Sequence, residues 1–272
     1  MAMQRLIVDG LAFDVRVEGA PDAAPVLLLH GFPQSSRSFD AVVPRLHAAG
    51  LRTVAPDQRG YSPGARPVGV TDYAVGRLVA DALGVLDVLG VRWAHVVGHD
   101  WGAAVAWQLA ARHPERVSSL VAVSVGHPVA FSDALRDDAD QQARSAYIRE
   151  FVRQGSAEDM LLADDGARLR QLVGAGRELS AAVGERAGLT AALNWYRAIT
   201  AADYRSCPPV QVPTTFLWST ADAALGRAQA AATARHVHGE YRYVELAEVS
   251  HWIPEDAPAA LATEVVLRSG SW

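Results

Sequence analysis

The segment Gly98-His99-Asp100-Trp101-Gly102-Ala103 places a carboxylate among small residues. It follows a strand-like apolar stretch and opens a helix-like one. Small residues at 98, 102 and 103 permit a tight strand-to-helix turn, which pushes the middle side chain out at the carboxyl end of a sheet. Ligands bind at that edge in open α/β sheets. The spacing is that of a nucleophile elbow, with aspartate where serine usually stands. That identity constrains the reaction. A serine that attacked an sp3 carbon would leave an ether, a dead end for water. A carboxylate leaves an ester, which water can cleave at the enzyme's own carbonyl. Asp100 therefore points to alkylating substrates: epoxides or alkyl halides. Taken alone, it also reads as a helix cap at a strand end.

Other residues supply what such a nucleophile needs. His30-Gly31-Phe32-Pro33 follows a buried-strand pattern and sets a glycine turn near the elbow. In this arrangement the oxyanion hole takes one backbone N–H from that loop and one from the residue after the nucleophile, here Phe32 and Trp101. His30 reads as a brace for the loop. The acid and base should follow in the order nucleophile, acid, base. Asp222 lies just after one strand-like run and His251 just after the last one. The histidines at 47, 95, 99, 113, 127, 236 and 238 have no such placement. His236 and His238 alternate, but no third ligand lies near, so they read as surface residues. No metal site and no cofactor are expected.

The elements that must position these groups are legible in the hydrophobic pattern. Residues 4–8 and 13–17 read as strands joined through Asp9-Gly10, a hairpin signal. Residues 25–29 form a continuous apolar run, as in a strand buried on both faces. Helix-like 39–49, strand-like 51–55, helical 72–89, strand-like 93–97, helical 101–112 and strand-like 117–125 then alternate. Such alternation implies right-handed βαβ units and a parallel sheet. Residues 127–208 read as helices without a convincing strand. Strands at 213–219 and 241–246 and helices at 226–236 and 257–268 resume the alternation.

Composition excludes several functions. All 25 basic residues among the 272 are arginine, so there is no lysine for a Schiff base or a P-loop. The missing lysine reads as the codon bias of a GC-rich genome, and none of the arginines is needed in the expected chemistry. One cysteine, Cys207, allows neither an internal disulfide nor a Cys-based zinc cluster. A formal net charge of -5 argues against a nucleic-acid groove. Residues 1–5 lack the build of a signal peptide, and the apolar runs are far shorter than the roughly 20 residues of a membrane span. The expectation is a soluble, cytoplasmic protein without nucleic-acid or membrane partners, its assembly open between monomer and homodimer.

Together these segments resemble the α/β-hydrolase superfamily, in its epoxide hydrolase branch. The resemblance covers residues 24–266 and rests on His30-Gly31-Phe32-Pro33, Asp57-Gln58-Arg59-Gly60-Tyr61-Ser62, Gly98-His99-Asp100-Trp101-Gly102, Asp222 and His251. It implies an α/β fold with a mostly parallel central sheet, flanking helices and a helical cap insertion. The core would be residues 1–126 and 209–272, and the cap 127–208. In this family the cap carries two tyrosines that hold the epoxide oxygen. One lies in a motif similar to Leu193-Asn194-Trp195-Tyr196-Arg197. The other lies in a Tyr-x-x-x-Phe segment, here Tyr147 to Phe151, with Tyr147 47 residues after Asp100. Ala146, Arg149 and Glu150 replace the aromatics usual around it, and the alternative to the ring-opening role implied for Tyr147 is a tyrosine on a helix face with its hydroxyl in water.

The resemblance implies a small-molecule epoxide and water as substrates. Asp100 would form an alkyl ester, His251 oriented by Asp222 would activate water, and a vicinal diol would leave. A haloalkane dehalogenase with the same triad is the alternative. Dehalogenases of this superfamily usually carry asparagine where Phe32 stands, and fluoroacetate-type relatives carry arginine where Trp101 stands. A carboxyl-ester hydrolase would need serine at the elbow. A non-catalytic small-molecule-binding homologue is the reading from a different class, since fold does not fix function.

Overall fold

The computed structural model describes residues 3–270. Its strands are β1 (Met3–Val8), β2 (Leu11–Glu18), β3 (Pro25–Leu29), β4 (Arg52–Pro56), β5 (Ala94–His99), β6 (Val117–Val123), β7 (Thr214–Ser219) and β8 (Tyr241–Leu246). They form one eight-stranded sheet in the order β1-β2-β4-β3-β5-β6-β7-β8. The β1–β2 and β2–β4 pairs are antiparallel, and every other pair is parallel. The expected α/β architecture is the observed one.

The sheet is covered on both faces, and its central strand β3 is apolar at every position. In β3, Leu27 and Leu29 face one core cluster, with α2 (Val75–Val88) and α3 (Trp101–Arg112). Val26 and Leu28 face a second cluster, with α1 (Val43–Ala48) and the C-terminal helix at Pro258–Ser269. Alternate residues of a strand point to opposite faces, so a continuous apolar run needs two layers of helix. At the other end, Asp9 and Gly10 both take positive φ, 47° and 76°, as a two-residue hairpin turn requires.

Between β6 and β7 the described residues form α4 (Pro128–Asp137), α5 (Ala139–Arg144), α6 (Ile148–Phe151), α7 (Ser156–Val173), α8 (Arg186–Ala198) and α9 (Ala201–Arg205), with no strand. α7 is broken at 163–166, where Asp164, Asp165 and Gly166 adopt φ of 51°, 56° and 74°. After β7 come α10 (Arg227–Thr233), α11 (Ile253–Asp256) and α12 (Pro258–Ser269).

Some boundaries differ from the sequence reading. The helix expected from residue 39 starts at Val43, with Pro44 in the first turn where a missing N–H costs nothing. β5 runs two residues further, to His99, which pairs with Val123. β6 stops short of Val125 because Ser124 turns to φ 69°. Both differences concern strand ends at the edge where Asp100 sits. Among the described residues no helix is long and apolar enough to cross a membrane.

Candidate active site

Asp100 sits at the junction of β5 and α3 with φ 53° and ψ −121°, a backbone state that non-glycine residues rarely adopt. Close backbone approach holds it there. A Cβ on Gly98 would lie 2.3 Å from the Gly102 carbonyl oxygen, and one on Gly102 would lie 2.0 Å from that of Leu29. Only glycine lets β3, β5 and α3 approach so closely. Gly31 does the same for the facing loop, where a Cβ would meet Asp100 Oδ1 at 2.4 Å.

This approach aims two backbone donors at one carboxylate. Phe32 N–H donates to Asp100 Oδ1 at 2.9 Å. Burial pushes the Asp100 carboxyl up, but the neighbouring His251, the charge of His99 and the Trp101 N–H outweigh it and hold Asp100 below its ordinary value. Oδ2 faces His251, with Nε2 at 3.6 Å. His251 Nδ1 lies 2.8 Å from Asp222 Oδ2. The other Asp222 oxygen accepts from the backbone N–H groups of Ala224 and Leu225 at 2.8 and 2.9 Å. Burial lowers the His251 pKa, but Asp222 and then Asp100 outweigh it and raise it to about 10. With Asp100 ionised, His251 is an imidazolium between two carboxylates.

The helical segment places two phenols over this group. Tyr196 lies on α8, fixed by its neighbours in sequence. Trp195 Nε1 donates to the Arg59 carbonyl at 2.9 Å. Arg197 pairs with buried Glu158 of α7 through two contacts, at 2.9 and 3.1 Å. Tyr147 precedes α6, and its ring lies edge-on to that of Tyr196, with centroids 6.3 Å apart. Burial and the charge of Asp100 push Tyr147 well above the usual phenol range. Burial, with Tyr147 and Asp100, does the same to Tyr196. Both therefore stay protonated. Phe151 packs against Tyr147 and Tyr196 at 5.0 and 5.3 Å between ring centroids.

Asp100 and both tyrosines line two adjoining cavities. The outer one, about 140 Å³, is bordered by Phe32, Arg144, Phe151, Leu172, His251 and Trp252. The inner one, about 40 Å³, is bordered by Trp101, Phe131, Ser145, Ile148 and Tyr204. The structure thus brings together Asp100, Asp222, His251, Tyr147, Tyr196, Phe32 and Trp101.

His30 is buried, and its Nε2 accepts from the Gln58 N–H at 3.1 Å. His236 stacks on His127 with centroids 4.7 Å apart, and His238 contacts Gln211. Among the described residues no group of three His, Cys, Asp or Glu side chains is disposed to hold a metal. The sequence reading missed His99. Its Nε2 donates to the His251 carbonyl at 2.9 Å, and Ser124 Oγ donates to the same oxygen at 3.1 Å. The signal was position: both residues lie at parallel-strand ends beside the nucleophile.

A family model described as alpha/beta hydrolase fold matches residues 24–258. A relative from Bacillus subtilis (strain 168), AB hydrolase superfamily protein YfhM, is 33% identical over 273 residues, covering 96% of this chain and 94% of its own. Epoxide hydrolase A of Mycobacterium tuberculosis is 30% identical over 311 residues, covering 97% of this chain and 96% of its own. The crystal structure of a variant epoxide hydrolase from Bacillus megaterium, complexed with a naphthyloxy-propane-diol product, superposes with a TM-score of 0.86. It is 25% identical and covers 98% of this chain and all of that one.

Proposed function

The chain belongs to the α/β-hydrolase family, in its epoxide hydrolase branch, and we propose that it converts an epoxide to a vicinal diol through an ester on Asp100. The observation that carries this reading is that Tyr147 and Tyr196 line the same cavity as an elbow aspartate. Residues 127–208 act as the cap over a core of 1–126 and 209–272.

Asp100 Oδ1 is held by the Phe32 N–H, which leaves Oδ2 to attack an epoxide carbon. The ring oxygen becomes an alkoxide, a poor leaving group unless protonated. Tyr147 and Tyr196 hydrogen-bond that oxygen and deliver a proton as charge develops. In the resulting ester Oδ1 is the carbonyl oxygen, already held by the Phe32 N–H, with the Trp101 N–H as the second donor beside it. His251 then draws a proton from water, the hydroxide attacks the ester carbonyl, and the two N–H groups hold the oxyanion. Each such donor is worth roughly 3 kcal/mol. Collapse breaks the ester C–O bond, the leaving diol oxygen takes the proton from His251, and the proton left on the Asp100 carboxyl returns to the tyrosinate, which restores the carboxylate and the phenol.

Alkylation also prepares the base. The ester carries no charge, so His251 loses the support of Asp100 and keeps only Asp222. Its pKa in the ester therefore falls below about 10, the value set when both carboxylates are charged. The base is the neutral imidazole, so ester hydrolysis speeds up as pH rises through the lowered value. Asp100 stays ionised over that range, so alkylation stays level. Stopped-flow traces of single turnovers across pH separate the two limbs, and an acid limb shared by both would contradict the scheme.

Removing either phenol should slow the first half-reaction alone. Tyr196→Phe and Tyr147→Phe each lower the alkylation rate by about 10²-fold, and the double variant by more, as expected for positioned acids. Hydrolysis of ester already formed is unchanged. Equal slowing of both steps would assign the tyrosines another role.

The covalent route is tested with excess enzyme in water enriched in oxygen-18. The first diol carries an unlabelled oxygen from Asp100, and the label appears in the Asp100 carboxylate. Label in that first diol overturns the ester intermediate. Halide release is the weaker reading of the same triad. Phe32 offers no side-chain donor, and the Trp101 ring packs edge-on against Tyr196, with centroids 4.9 Å apart.

A further inference from the structure

The two cavities that meet at Asp100 differ in size and in lining. The outer one, about 140 Å³, is walled mainly by aromatic and aliphatic side chains. The inner one, about 40 Å³, has room for roughly three water-sized groups, taking a little over 10 Å³ for each. Most of its wall is apolar, with Ala104, Val125, Phe131, Ile148 and Leu225 among the lining residues. Two hydroxyls interrupt that wall, and the scheme above uses neither.

One belongs to Tyr204, on α9. Its ring packs edge-on against Phe131, with centroids 5.6 Å apart. It lines the cavity together with Asp100 and Tyr147. Burial and the charge of Asp100 push the phenol well above its usual range, so it stays a neutral donor. Among the described residues its hydroxyl makes no recorded hydrogen bond. The other belongs to Ser145, 8% exposed. Its oxygen accepts from Gln141 Nε2 at 2.9 Å, which leaves its own proton to donate.

An alkyl group in this small arm would leave both hydroxyls unpaired in a desolvated space, which is unfavourable. A carboxylate would meet the charge of Asp100. A short neutral group with its own donor and acceptor satisfies both hydroxyls. Resting on the epoxide reading, we propose that Tyr204 and Ser145 select epoxides whose shorter substituent is a hydroxymethyl group, the 2,3-epoxy alcohols, with the longer substituent in the outer cavity.

The test compares kcat/KM for two substrates. One is a glycidol bearing phenyl on the distal ring carbon, and the other is its isostere with ethyl in place of hydroxymethyl. The wild-type enzyme prefers the alcohol. Tyr204→Phe lowers kcat/KM for the alcohol by about tenfold, the effect of one lost hydrogen bond, and leaves the isostere unchanged. Ser145→Ala moves the preference the same way, which guards against a packing defect peculiar to one position. A role in folding or in ring opening would slow both substrates together, and that result overturns the proposal. So does an unchanged preference in both variants. Diol from the isostere with no preference for the alcohol overturns this assignment alone. Diol from no epoxide at all overturns the epoxide reading beneath it.

Discussion

Asp100→Ala yields a folded protein that makes no measurable diol. The expected loss in kcat is about 10⁴-fold or more, the scale on which an essential nucleophile acts. No neighbour can take over the first bond-forming step. Asp222 is turned away, with one oxygen on His251 and the other on two backbone N–H groups. Direct attack by water would need His251 as a base while both tyrosines pull on the epoxide, and the elbow gives that water no fixed place. Folding should survive. Alanine at φ 53° is strained by about 1 kcal/mol, the lower end for such backbone states. Against that, the variant no longer buries a carboxylate. The check is diol by chromatography at excess enzyme, beside a denaturant titration on wild type and variant. Diol formed at a rate near that of wild type would remove Asp100 from the chemistry.

The residues of this step were legible from sequence for physical reasons. A nucleophile on a tight strand-to-helix turn needs small residues on both sides, and Gly98 and Gly102 are contacts visible as letters. Asp222 and His251 follow strand-like runs, and parallel strands deliver their following loops to one edge. The two-layer cover was legible because β3 has no polar position. Other features left no local mark. His99 and Ser124 act through the His251 carbonyl, which lies more than 120 positions away in the chain. The arginines were read as compositional, yet Arg197, the neighbour of Tyr196, is tied to Glu158, 39 positions earlier. Tyr204 was missed because five residues of α9 carry too little periodicity to reveal a face. Such contacts depend on how the helical segment folds back on the sheet, and hydrophobic spacing does not encode that.

His251→Gln should separate the two halves of the reaction. Glutamine keeps a polar side chain of similar reach but cannot accept a proton from water at neutral pH. Alkylation proceeds, since Asp100, Tyr147 and Tyr196 are intact and the Phe32 N–H still holds Oδ1. Hydrolysis slows by about 10³-fold or more, within the range for a positioned general base. The ester then accumulates, and intact-protein mass rises by the mass of one substrate, with the added mass on the Asp100 peptide after digestion. The variant also loses the imidazolium beside Asp100. Burial then raises the Asp100 pKa without that opposing charge, so alkylation should weaken at acid pH, where it was level in the wild type. The adduct should therefore form faster at pH 8 than at pH 5. An adduct on a different residue would move the nucleophile. Full turnover without an adduct would take His251 out of the second step and leave the Asp222 contact as scaffolding.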